Sequence, residues 1–198
     1  MSGASRDKTR QLKALMKRPQ GIPSVGVHDA LSALVAQQAG FELLFLGGFG
    51  VSASRLGLPD LQFLGLRDME QAVSELTAVL EIPLIVDADT GHGDLPQVRR
   101  TVQRLAAAGA SGLLLEDQQS PKRCGHFRGK QVIDTSSMQA KLRVAIEARP
   151  SDDFLIIART DARAVHGLDE ALLRMQAYAK CGVGGGFVEA PQSVTELE

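Results

Sequence analysis

Tryptophan is absent from this 198-residue chain, and aromatic residues of all kinds make up only 4% of it. So few rings leave no base-stacking surface for single-stranded nucleic acid. A surplus of one charge is missing too, since 22 Lys and Arg face 23 Asp and Glu for a formal net charge of −1. That balance provides no general attraction to nucleic acid or to an anionic membrane. No run approaches the ~18 apolar residues of a membrane span. The polar start, Met1 to Arg10, has no apolar signal core. Cysteine is scarce as well: Cys124 and Cys181 read as reduced thiols in a cytoplasmic setting. What remains, with 44% hydrophobic residues, suits one soluble globular domain over residues 1–198.

Strand-like and helix-like runs alternate along the chain. Thr9 to Arg18 reads as a polar helix ended by Pro19 and Gly21. Ser24 to Val27 reads as a strand, followed by a helix over Ala30 to Ala39 that Asp29 caps and Gly40 stops. Further strands are expected at Glu42 to Leu46, Ile82 to Val86, Gly112 to Leu115, Phe154 to Ala158 and Gly186 to Val188. Helices are expected at Leu66 to Leu80, Leu95 to Ala108, Ser136 to Ala148 and Leu168 to Lys180. Six strand-then-helix signals, the last incomplete, predict a parallel sheet with helical crossovers. The polar residues that follow the strands then share one end of that sheet: Asp29, Gly47 to Gly50, Asp87, Asp89, Glu116, Arg159 and Glu189. In a barrel, that carboxyl end is where an active site forms.

Two clusters carry chemistry. Strand alternation puts Asp87 and Asp89 on one side with Ala88 opposite. Adjacent carboxylates repel unless a cation or a proton sits between them. Hard oxygen ligands suit Mg²⁺ or Mn²⁺ better than zinc. The competing reading is a pair of strand-end aspartates capping the next helix. The second cluster is Lys122-Arg123-Cys124-Gly125-His126, which places a thiol among cations that stabilise its thiolate. Its competing reading is a surface loop with an incidental cysteine. Gly48-Phe49-Gly50-Val51-Ser52-Ala53 loosely matches a dinucleotide fingerprint but follows the second strand signal, not the first. His28, His92 and His166 lack metal-ligand spacing, and Cys181 reads as structural.

Six motifs in order resemble the isocitrate lyase and phosphoenolpyruvate mutase superfamily. They are Leu56 to Asp60, Asp87 to Gly91, Glu116 to Gln118, Lys122 to His126, Ala158 to Ala162 and Val188 to Pro191. The resemblance implies an α/β fold, a (β/α)8 TIM-type barrel, with Mg²⁺ dependence (Mn²⁺ as the alternative). It also implies chemistry on small 2-oxo or 2-hydroxy carboxylates through an enolate-like intermediate. On that resemblance Asp87 is the principal metal ligand, while Asp60, Asp89 and Glu116 hold the metal's waters. Arg159 binds a substrate carboxylate, Gly47 and Gly48 lie beside the substrate, and Glu189 belongs to the polar side of the pocket. Cys124 is the acid/base on a gating loop, tuned by Lys122, Arg123 and His126.

The thiol resembles that of the carbon–carbon lyases, and the surrounding residues resemble the small dimethylmalate lyase, oxaloacetate hydrolase and carboxyphosphonoenolpyruvate mutase group. A phosphonate-forming mutase is the alternative chemistry. His92 stands where several members carry an aromatic or Gly, and Gly47 where Ser is frequent. An eight-stranded barrel takes ~250 residues, whereas Glu198 follows directly on the sixth strand signal. The expectation is therefore a barrel truncated after its sixth strand, either a fragment of a longer product or a non-catalytic form. Open sheet edges invite association, so a homo-oligomer is expected.

Overall fold

The computed structural model describes residues 3–124 and 129–197, with side chains from residue 6 onward. The chain runs α1 (Gly3–Leu15), β1 (Val25–Val27), α2 (Ala30–Gln38), β2 (Leu44–Leu46), α3 (Gly48–Leu56), α4 (Leu66–Thr77), β3 (Leu84–Asp87) and α5 (Leu95–Ala107). It continues with β4 (Gly112–Glu116), α6 (Thr135–Ala148), β5 (Leu155–Thr160), α7 (Ala162–His166), α8 (Leu168–Ala179) and β6 (Gly185–Val188). β3, β4 and β5 are buried along their whole length, which is why they read as unbroken apolar runs rather than alternating ones.

All strand pairs are parallel, and their order in space is their order in sequence. Such an order never reverses, so there is no switch point of the kind a dinucleotide crevice needs. The Gly48 to Ala53 fingerprint is thereby excluded: its residues open α3 instead. Successive side chains on each strand divide between two cores. On β4, Leu113 and Leu115 face outward into the layer of helices, joining Met69 and Val73 of α4, Val102 of α5 and Met138 of α6. Leu114 faces inward with Ile85, Ile157, Leu43 and Leu155, where Leu12 and Leu15 of α1 cover them. Burying each of those two leucines contributes about 1.5–3 kcal/mol.

The six-stranded sheet is open, with β1 paired only to β2 and β6 only to β5. Among the described residues no helix is long and apolar enough to cross a membrane. α1 starts earlier than its sequence pattern suggests and stops at Leu15 rather than Arg18. The helices α3 and α7 were not anticipated. α3 begins with Gly48 and Gly50 and has an N-cap, Gly47, without a side-chain cap, so local propensity argues against it. Its one local signal is Gly57, which ends the helix at φ 63° in the left-handed region.

Candidate active site

The end of β3 departs from the alternation expected of it. The strand stops at Asp87, and Asp89 turns out at φ 48°. The Asp89 N–H donates to Asp87 Oδ1 at 2.9 Å, folding the chain back on itself. The Glu116 N–H donates to the Asp89 carbonyl at 2.9 Å, tying this turn to β4. Ala88 still packs outward, and Asp89 still faces the site. Gly91 completes the turn at φ +88°, where a Cβ would lie 2.5 Å from Val98 Cγ2. Only glycine fits both conditions.

Lys122 enters from the loop after β4. Its Nζ lies 2.7 Å from Asp60 and 2.7 Å from Asp89. The Asp60 contact has hydrogen-bond geometry, whereas Asp89 Oδ1 makes an ion pair without a directed hydrogen bond. Gly48 backs this group, with a notional Cβ 3.5 Å from Asp89 Oδ1 and 3.7 Å from Lys122 Nζ. Gly47 instead sits against the Phe45 ring, 3.1 Å from a notional Cβ.

Arg159, near the end of β5, gathers the other carboxylates. Its Nε donates to Asp161 at 2.9 Å and lies 3.3 Å from Glu116, while Nη2 lies 3.4 Å from Glu189. The guanidinium carbon stands 6.0 Å from the centre of the Phe187 ring. Lys130 Nζ donates to Asp161 from another side at 2.7 Å. Behind this cluster, the fully buried Asp117 accepts from Thr160 Oγ1 at 2.7 Å, Tyr178 OH at 2.8 Å, the Asp161 N–H at 3.0 Å and Arg174 Nη1 at 3.2 Å.

The Cys124 N–H donates to the Asp60 carbonyl at 3.0 Å. Gln118 holds the same loop by accepting from the Arg123 N–H at 3.0 Å and donating to the Arg123 carbonyl at 2.9 Å. Cys124, Asp60, Arg159 and Glu189 line one cavity of about 540 Å³, with Phe45, Ile85, Leu114 and Ile157 as its apolar floor. Arg123 lines a different, smaller cavity of about 290 Å³ with Gln118 and Lys130. His126 lies outside the described residues.

Charge dominates this site. Among the described residues, six buried carboxylates (Asp60, Asp87, Asp89, Glu116, Asp161 and Glu189) face three buried cations, Lys122, Lys130 and Arg159. Burial, and then the Asp87 carboxylate, pushes the Asp89 carboxyl up to about 7, against the pull of Lys122. Burial also raises Glu116 well above the ordinary carboxylate range, opposed by Arg159. Burial opposes the charges on Lys122 and Arg159, yet the carboxylates around each hold both above their usual values. For Asp161 burial is likewise outweighed, here by Arg159 and Lys130, and its carboxyl is lowered.

Negative charge in excess at Asp89 and Glu116 can be relieved by protons or by a further cation. Glu116 Oε1 is buried without a hydrogen-bond partner, and every donor here is a carboxylate oxygen. That set fits a hard, partly hydrated divalent cation. Among the described residues no three His, Cys, Asp or Glu side chains converge as a ready-made coordination set. Asp87, Asp89, Asp60 and Glu116 are the buried carboxylates that could surround such a cation.

Asp161, Lys130 and Asp117 have no role assigned by the sequence motifs alone. Asp161 could have been found from its i, i+2 spacing to Arg159 at a strand end. Lys130 and Asp161 are 31 residues apart, and Asp117 and Arg174 are 57 apart. No local signal reports such pairs.

The family model for phosphoenolpyruvate phosphomutase matches residues 12–198. The petal death protein of Dianthus caryophyllus is 45% identical over 174 residues, covering 87% of this chain and 55% of that protein. The 2-methylisocitrate lyase of Escherichia coli is 42% identical over 189 residues, covering 95% and 63%. The 2,3-dimethylmalate lyase of Eubacterium barkeri is 39% identical over 191 residues, covering 95% and 65%. The chain thus spans less than two thirds of the length of these relatives.

Oxaloacetate acetylhydrolase bound to 3,3-difluorooxalacetate superposes with a TM-score of 0.91 at 36% identity, covering 96% of this chain and 66% of that one. Phosphonopyruvate hydrolase in complex with oxalate and Mg²⁺ superposes with a TM-score of 0.88 at 32% identity, covering 96% and 66%. With a match across almost its entire length and the same arrangement of strands, the chain belongs to the phosphoenolpyruvate phosphomutase family.

Proposed function

We propose that this chain carries the site of a Mg²⁺-dependent carbon–carbon lyase acting on a small 2-hydroxy or 2-oxo di- or tricarboxylate. The observation that carries this reading is the single cavity where Cys124, Arg159, Glu189 and Asp60 meet, beside the surplus of buried carboxylates. Asp87 would hold the cation directly, with Asp60, Asp89 and Glu116 around its water shell. When bound, the cation would supply Lewis acidity toward a substrate carboxylate and the neighbouring oxygen.

The chain's own residues do the rest. Arg159 binds a carboxylate of the departing fragment, positioned by Asp161, Glu116 and Glu189. The apolar floor of Phe45, Ile85 and Leu114 keeps water from the reacting carbons. As the carbon–carbon bond of a 2-hydroxy acid breaks, the hydroxyl proton passes to a neighbouring carboxylate, the oxygen closes to a carbonyl, and the bond's electron pair passes to the carboxylate-bearing fragment as an enolate. The Cys124 thiol then protonates that carbon. Lys122 bridges Asp60 and Asp89 from the same loop, so loop position and the charge of the metal site are coupled. Arg123 and His126 are assigned to tuning the loop and binding carboxylate.

The test is cation-dependent release of a 2-oxo acid or oxalate from dimethylmalate, methylisocitrate, isocitrate and oxaloacetate, with Asp87→Ala as control. Turnover that survives in the control sinks the metal assignment. Absence of turnover from folded, cation-binding protein sinks the lyase reading for this chain. A phosphonate-forming mutase is the second reading. It is favoured by 45% identity over 184 residues to a chloroplastic carboxyvinyl-carboxyphosphonate phosphorylmutase of Arabidopsis thaliana. Formation of a carbon–phosphorus bond, seen by phosphorus NMR, would decide for it. Self-association through the open sheet edges belongs to the same proposal, as does a cytoplasmic location.

A further inference from the structure

Outside the central cavity, α4 and α5 enclose a second concavity of about 640 Å³. Gln97, Arg100 and Arg104 line it from one face of α5 at i, i+3 and i+7 spacing, and Arg67 lines it from the first turn of α4. Glu70 is the one carboxylate in that lining, and it pairs with Arg104 at 2.6 Å. Three guanidinium groups against one carboxylate leave two positive charges unmatched there. Neither Arg67 nor Arg100 has an ion-pair partner among the described residues.

Two residues connect this groove to the active site. His92 lines it, and its Nε2 is shielded from water without a hydrogen-bond partner. The same turn carries Asp87 and Asp89. Gln62 also lines the groove, while its Oε1 accepts from the Lys122 N–H at 2.9 Å and from Ser120 Oγ at 3.0 Å. Gln62 thus joins the groove to the loop bearing Lys122 and Cys124 through these two hydrogen bonds.

We propose that this groove binds a small multivalent anion, phosphate- or polycarboxylate-bearing, held by Arg67 and Arg100, and that its occupancy is felt by the Cys124 loop through Gln62. Guanidinium groups are suited to both ligands because their paired donors match carboxylate and phosphate oxygens. The site is separate from the central cavity, where Arg159 serves the substrate.

Titration calorimetry with inorganic pyrophosphate and with tricarballylate, each without divalent cation, tests the proposal and separates the two ligand types. Binding of either probe should weaken by about tenfold or more in the double variant Arg67→Gln/Arg100→Gln. Arg159→Gln should leave pyrophosphate binding unchanged, since Arg159 lines the central cavity and not this groove. Both groove arginines are exposed, so circular dichroism should show the double variant folded. No heat with either probe, or a loss of pyrophosphate binding that follows Arg159→Gln instead, would overturn the site. Coupling is read from the alkylation rate of Cys124 by iodoacetamide, followed on its own peptide by mass spectrometry. The rate should change with saturating probe in the wild type and not in the double variant. A rate indifferent to a bound probe overturns the coupling.

Discussion

Replacing Asp117 with alanine should be among the most damaging single changes to this fold. Its carboxylate is fully buried and receives four hydrogen bonds, from Thr160, Asp161, Arg174 and Tyr178. Those partners belong to β5, the turn after it and α8, so one side chain ties the end of β4 to three later segments. Removal leaves the buried Arg174 guanidinium with Glu170 at 2.9 Å and the Ile133 carbonyl at 2.7 Å. Thr160 and Tyr178 lose their acceptor altogether. Breaking one side of a buried charge pair costs about 3–5 kcal/mol, a large part of a typical ~5–15 kcal/mol of total stability. For a chain of this size that corresponds to a melting temperature lower by roughly 6–20 °C.

Urea denaturation followed by far-ultraviolet circular dichroism measures the loss directly, and an unchanged slope shows that the same surface unfolds. The damage should also reach the site. Asp161, whose N–H rests on Asp117, is the main partner of Arg159, so carboxylate binding should weaken at temperatures where the variant is still folded. A loss below about 1 kcal/mol with unchanged slope would refute the reasoning. It would mean that the donors re-pair among themselves without cost.

Three further outcomes are expected. The cation-free protein should lose stability as pH rises from about 4 to about 7. Asp89, held up near 7, and Glu116, also raised, keep protons in the folded state that the unfolded chain has already released. Each such proton contributes a slope of about 1.4 kcal/mol per pH unit. Urea midpoints in a chelator at both ends of that range should show the fall, and millimolar Mg²⁺ should flatten it; a midpoint that rises with pH contradicts the assignment. Cys124→Ser should cut turnover by about a hundredfold or more while calorimetry finds cation binding unaltered. Unchanged turnover removes the thiol from the mechanism. Gly91→Ala should cost a few kcal/mol, of the order of ~1–3 for overpacking plus the backbone penalty, because its Cβ would lie 2.5 Å from Val98 Cγ2 at φ +88°. Gly48→Ala meets nothing closer than 3.5 Å and should fold normally, so equal damage from both would count against the packing argument.

Much of this protein is legible in its sequence because the relevant physics is local. A parallel strand buried on both faces reads as an apolar run, and the residue ending it lands at one end of the sheet. Asp87, Glu116, Arg159 and Glu189 could therefore be placed together before any coordinates. Helix boundaries marked by Asp29 or by the glycines after helices were legible for the same reason. Tertiary structure decided what local patterns do not encode. α3 forms against its glycine-rich start, and Asp89 leaves the strand for a left-handed turn while keeping the facing that alternation suggested.

The partners across the site were also decided in three dimensions. Lys122 finds Asp60 across 62 residues of chain and Lys130 finds Asp161 across 31, and Arg123 turns to a separate cavity although Cys124 is its neighbour. The sequence determined which charges arrive at the carboxyl end of the sheet. Only folding determined how they pair, because that pairing depends on distances through space and on the burial that makes an unpaired charge costly.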